Sequence, residues 1–140
     1  MGQMYFPGEL DTDCSAEIEK IWVEHNECED GEKGMRIHVT FNANGLKNKQ
    51  LEVSVYFYYA TDNPMIDTND SYCTSNGHVA THTNLTPPYE SCRCEDLGIF
   101  MPYSELHINR ECACYFFIQI WNGTNALTTS EKVDFYMSLG

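Results

Sequence analysis

Basic residues are scarce in this chain. Its 8 Lys and Arg stand against 21 Asp and Glu, a formal charge of −13 over 140 residues. So acidic a surface repels phosphate, which argues against nucleic acid and anionic membrane as partners. It favours solubility and, more sharply, a cation or a basic partner. Long apolar runs are absent too: nothing approaches the roughly 18 residues that a membrane-spanning helix needs, so no membrane insertion is expected. Met1 to Asp13 has neither a basic start nor an apolar stretch and does not read as a signal peptide. Sustained helical periodicity is missing, Ala16 to His25 being the one ambiguous segment. There is no Gly-x-Ser-x-Gly, no His-Glu-x-x-His and no phosphate-cradling glycine loop. The histidines are scattered. His78 and His82, four apart on a strand, would sit about 13 Å from each other, too far to share a metal directly. These absences predict a chain that is not an enzyme and has no catalytic residues.

What is present is period-two patterning. Met35, Ile37, Val39 and Phe41 alternate with Arg36, His38, Thr40 and Asn42, a half-buried strand. Leu51, Val53, Val55, Phe57 and Tyr59 share one face of the next segment. Further strands are read over Ala16 to His25, Tyr72 to Thr74, His78 to Thr83, Ser91 to Met101, Glu111 to Trp121 and Lys132 to Ser138. The acidic stretch Glu27 to Glu32, Asn44-Gly45 and Pro87-Pro88 read as turns or breaks, and Pro102 to Leu106 as a short helical turn. About eight short strands with polar turns predict an all-β fold: a single antiparallel β-sandwich, immunoglobulin-like or C2-like. Residues 1–14 read as an extended N-terminal arm, with the sandwich over 15–140. The arm carries Tyr5 and Phe6 as apolar anchors and could add a strand to a neighbour's sheet edge.

Seven cysteines are many for one small domain: Cys14, Cys28, Cys73, Cys92, Cys94, Cys112 and Cys114. Four form two Cys-x-Cys pairs, and on a strand residues i and i+2 face the same way. Cys112 and Cys114 share a face with Phe116, Ile118 and Ile120, which points both thiols inward. Cys92 and Cys94, counted by twos, share a face with Phe100. Disulfides are the expected state, with pairing between the two segments favoured, for example Cys92 with Cys114 and Cys94 with Cys112. Buried free thiols and a four-thiolate zinc site are the alternatives. Seven is odd, and Cys14, at the end of the arm, is the candidate for a bond to a partner or a second copy. Sequons at Asn69, Asn84 and Asn122 add to a secreted, extracellular expectation, with any signal removed.

If Phe116 and Ile120 face inward, Tyr115, Phe117 and Trp121 face outward, as do Tyr56 and Tyr58 on the strand from Gln50. Large aromatics on an outer sheet face mark an interaction surface. The acidic loops suggest calcium as the one possible cofactor, through Asp62, Asp67 and Asp70, although EF-hand spacing is absent.

Four pieces, Ala16 to Val23, Gly34 to Val39, Phe100 to Leu106 and Ile118 to Trp121, resemble a small uncharacterised β-sandwich domain of microbial proteins. That domain is often appended C-terminally to caspase-like peptidase or repeat domains. The resemblance implies an accessory or interaction role and transfers no catalytic residue. The Cys-x-Cys pairs depart from its pattern. The sequence therefore predicts a non-catalytic extracellular structural or adhesive module, disulfide-stabilised and associating with itself or another protein. The alternatives are an accessory protein- or calcium-binding domain of a larger multidomain enzyme and, third, an intracellular zinc-stabilised adaptor.

Overall fold

A computed structural model describes residues 14–66, 74, 77–106, 108 and 111–137. Tyr5, Phe6, Asp67, Asn69, Asp70 and Cys73 lie outside the described residues. Eight antiparallel strands form two sheets: β1 (Ser15–Glu29), β2 (Glu32–Asn44), β3 (Leu51–Tyr59), β4 (Ala80–Leu85), β5 (Ser91–Pro102), β6 (Cys112–Asn122), β7 (Asn125–Thr129) and β8 (Val133–Met137). One sheet has the order β1-β2-β5. The other runs β4-β3-β6-β7, with β8 pairing the first half of β6. The predicted antiparallel sandwich is the fold. The short helical turn read at Pro102 to Leu106 is a 3-10 turn over Tyr103–Leu106.

Alternation in the sequence builds the core between the sheets. Met35, Ile37, Val39 and Phe41 of β2 face Leu51, Val53, Val55 and Phe57 of β3 and Phe116, Ile118 and Ile120 of β6, all fully or almost fully buried. Each such side chain contributes about 1.5–3 kcal/mol of hydrophobic stabilisation. The acidic stretch after Cys28 is a two-residue hairpin. Asp30 and Gly31 both take positive φ, 53° and 83°, the mirror-image turn that matches strand twist. Strand β7 was not foreseen. It returns from β6 through a turn in which Gly123 takes a φ of 62°.

Two of the bulges in the three-stranded sheet correct counting by twos. In β1 an extra residue, Glu19, lies between Ile18 and Lys20. It turns Ala16, Ile18, Ile21 and Val23 toward the core despite their irregular spacing. In β5 an extra residue falls between Cys94 and Leu97. Cys92, Cys94, Leu97, Ile99 and Met101 therefore pair with inward residues of β2, and Phe100 pairs with Arg36 on the outer face instead. The expectation that Cys92 and Cys94 share a face with Phe100 fails for this reason.

The expected disulfides between the Cys-x-Cys pairs do not form. Cys92 and Cys94 belong to the three-stranded sheet and Cys112 and Cys114 to the five-stranded one. Cys94 lies beside Leu85, whose partner on β3 is Leu51, whereas Cys114 pairs with Tyr59 at the other end of that strand. Eight residues of strand separate those positions by about 27 Å. Among the described residues Cys14, Cys28, Cys92, Cys94, Cys112 and Cys114 are all free thiols. Cys114 is buried and Cys112 half-buried. Cys14 is not a loose thiol either: it packs against the core and donates to the Gly45 carbonyl at 3.0 Å. The exposed thiol among the described residues is Cys28, near the first hairpin turn.

Candidate interaction face

The outer face of the five-stranded sheet is built by residues that alternate with the core. Cross-strand pairing sets Glu52 beside Trp121, Ser54 beside Gln119, Tyr56 beside Phe117 and Tyr58 beside Tyr115. Paired residues share a face, so one register produces a continuous aromatic strip. Tyr58 stacks on Tyr115, with centroids 5.0 Å apart and planes 5° from parallel. Phe117 lies 5.6 Å from Tyr58 and 5.4 Å from Tyr56. Trp121 Nε1 donates to the Tyr56 hydroxyl at 3.2 Å. All five aromatics foreseen on this face are brought together there.

His78 is an addition that sequence reasoning missed. It sits edge-on to Tyr58 at 4.7 Å, and its Nε2 donates to the Phe57 carbonyl at 2.9 Å. A backbone carbonyl only accepts, so this nitrogen carries the proton. Nothing in the local sequence marks His78, because it is brought over β3 by the bridge between His78 and Ile66.

The strip is half-buried rather than bare, because its rings cover one another. Tyr115 is the exception at 6% exposure. The Lys132 ammonium lies 4.4 Å above its ring, and its hydroxyl donates to Asp62 at 2.9 Å. Burial and that carboxylate push the Tyr115 phenol up to about 12. Asp62 in turn is held below the ordinary carboxylate range by Tyr115 and Lys132. Of the calcium candidates, then, Asp62 already has two partners. Among the described residues no group of three or more His, Cys, Asp or Glu could hold a metal ion. The ends of the strip are acidic, with exposed Glu52 at one and Asp134, paired with Tyr115, at the other. Tyr136, beside Ala113, adds an aromatic that is 61% exposed. The sequon Asn84 is exposed next to Glu52, and Asn122 is half-buried at the end of β6.

The three-stranded sheet presents a different outer face. His38 lies between two carboxylates, with Nδ1 2.7 Å from Asp96 and Nε2 2.7 Å from Glu24. Its ring stacks on Trp22 at 4.8 Å, and Lys20 caps that indole. Burial opposes the charge on His38, but the hydrogen bonds and charges of Asp96 and Glu24 outweigh it and raise its pKa. Arg93 reaches Glu19 and Glu95, Asn42 donates to Glu19, and Arg36 pairs with Glu29. This face is satisfied by its own side chains.

No family model and no curated protein matches the chain. One solved structure is similar, the X-ray structure of Northeast Structural Genomics Consortium target SoR45, at 11% identity and a TM-score of 0.32. The match covers 92% of this chain and 89% of that one, and so low a score carries no argument.

Proposed function

We propose that the chain is a non-catalytic protein-binding module, of the accessory or adhesive kind, whose aromatic strip takes an extended basic segment of a partner. One observation carries this reading: an aromatic strip with carboxylates at both ends, on a chain of charge −13. The chain itself supplies the template. Lys132 sits over Tyr115 while its ammonium reaches Asp62 at 3.2 Å. A ring below and a carboxylate beside it suit a lysine or arginine, each such contact contributing about 0.5–2 kcal/mol. From Glu52 to Tyr58 is six residues, so the strip is about 20 Å long. An extended peptide covers that length with basic residues six positions apart. Two copies of the acidic face would repel each other, which favours a foreign basic segment over self-association.

Fluorescence polarisation tests this with a labelled seven-residue peptide, arginine at both ends and alternating threonine and valine between. Binding should weaken with salt and fall in Tyr58→Ala, Trp121→Ala and Glu52→Gln. Equal binding of a peptide with glutamate at both ends, or no binding at all, would overturn the proposal. So would sedimentation showing a dimer that Tyr58→Ala dissolves, because the occupant would then be a second copy.

A further inference from the structure

Cys112 and Cys114 take no part in the aromatic strip. Strand β6 turns both thiols to its inner face, and their sulfurs lie 3.6 Å apart. Cys114 Sγ also contacts the Cys112 carbonyl at 3.7 Å. The spacing suits chelation better than a disulfide. Residues i and i+2 of a strand have Cα atoms about 6.6 Å apart, near the upper limit for an S–S bond. An atom bonded to both sulfurs at about 2.3 Å, the zinc–thiolate length, would subtend an angle of about 103°. That angle belongs to a pyramidal or tetrahedral centre, not a linear one.

Access is through Cys112, since Cys114 is buried. Cys112 lines a cavity of about 560 Å³ with Tyr59, Thr61, Asn63 and Ile108. Among the described residues no third His, Cys, Asp or Glu joins the pair into a metal site. Two sulfurs match a centre that offers two exchangeable positions.

We propose that Cys112 and Cys114 form a bidentate dithiol site for a soft, thiophilic centre, and that monosubstituted trivalent arsenicals are the class it takes. The hydrated arsenical carries two hydroxyls. Each As–O bond breaks as an As–S bond forms, and each thiol proton leaves with a hydroxyl as water. Arsenic stays trivalent and no electron moves. Burial and the neighbouring Cys112 push the Cys114 thiol up to about 12.

The test is intact-mass titration of the reduced full chain with phenylarsine oxide. A Cys92→Ser/Cys94→Ser background removes the other pair. That background protein should take up one phenylarsenic group with loss of two waters from the hydrated reagent. Adding Cys112→Ser or Cys114→Ser should weaken uptake about 100-fold, since the second thiol acts at intramolecular effective concentration. Peptide mapping of the background adduct should place arsenic on the fragment spanning 112–114, a readout that does not depend on how the serine variants fold. Arsenic mapped elsewhere, no uptake by the folded background protein, or undiminished uptake by folded single variants would overturn the assignment.

Discussion

His38 should make stability depend on pH above its ordinary value near 6.5. Each ring nitrogen faces a carboxylate at 2.7 Å, and ionised carboxylates only accept, so the bridge is complete when the ring carries both protons. The folded pKa of His38 is raised. Its contribution is therefore fully present below the unfolded value near 6.5 and is lost as pH rises through the folded one. Within that window the slope cannot exceed about 1.36 kcal/mol per pH unit, one proton's worth. Buried hydrogen bonds to charged groups contribute about 1.5–3 kcal/mol each. Glu24 and Asp96 are each 54% exposed, which brings each bond to the surface-pair scale of about 0.2–1 kcal/mol. About 0.4–2 kcal/mol in total, or roughly 1–8 °C in Tm for a chain of this size, should disappear.

The other shifted histidine does not confuse the measurement. Burial of His25 against Tyr103 and Phe135 lowers its pKa, so its effect is a loss of stability as pH falls below 6.5. The two windows lie on opposite sides of 6.5. Thermal unfolding of wild type and His38→Gln from pH 6 to 9 separates packing from charge. Loss of the Trp22 stack gives a constant offset, whereas loss of the bridge gives a difference that shrinks as pH rises. A difference that stays constant across that range would refute the reasoning.

Three further outcomes are expected. A Cβ at Gly34 would collide with the Met101 carbonyl oxygen and lie 2.8 Å from Pro102 Cα. Gly34→Ala should therefore separate the ends of β2 and β5 and cost more than about 2 kcal/mol in urea unfolding, with wild-type stability contradicting the packing described. Phe116→Ala, at a fully buried centre of the ring cluster with Phe57 and Phe135, should cost about 3–5 kcal/mol in the same assay. Mild oxidation should give a disulfide-linked dimer through Cys28, seen on a non-reducing gel. Cys28→Ser should abolish it and Cys14→Ser should not, and the reverse pattern would place Cys14 at the surface.

Much of the fold was legible because alternation is a local signal. The core face of β2, the inward face of β6 and the five aromatics of the outer strip all follow from period two. What failed did so where the period breaks. Ala16 to His25 reads as a strand with helical ambiguity and is one, and the ambiguity comes from the bulge at Glu19, which makes the spacing of Ala16, Ile18, Ile21 and Val23 irregular. Strand β7 has Leu127 as its only large apolar residue, so pairing with β6 defines it rather than pattern. The cysteine pairs were placed on strands correctly, but nothing local states which sheet a strand joins. The bridge between Glu24, His38 and Asp96 was invisible, since its members lie 14 and 58 residues from His38 in sequence.

Two bulges of the three-stranded sheet also set its outer face apart from that of the five-stranded sheet. Without the extra residue in β5, an inward Cys94 would carry Asp96 and Gly98 inward with it. An ionised carboxylate would then be buried at a cost of several kcal/mol. With the bulge, Asp96 reaches His38 on the outside while Leu97, Ile99 and Met101 resume the core. The irregularity is itself anchored, because Thr40 donates to the Glu95 carbonyl at 2.7 Å. The β1 bulge works the same way, placing Glu19 where it takes both Arg93 and Asn42. These two bulges each supply a carboxylate that pairs a cation of the same sheet, His38 on β2 for Asp96 and Arg93 on β5 for Glu19, and the three-stranded sheet spends Arg36, Arg93 and His38 on its own surface. The five-stranded sheet has no bulge between β3 and β6 along the aromatic strip. Its register runs unbroken from Glu52 to Tyr59, so rings stack on rings, while Glu52 accepts from Ser54 at one end and Asp62 takes Lys132 and Tyr115 at the other. The difference between the two faces is one of register before it is one of composition, and the proposed binding of a basic segment rests on that register.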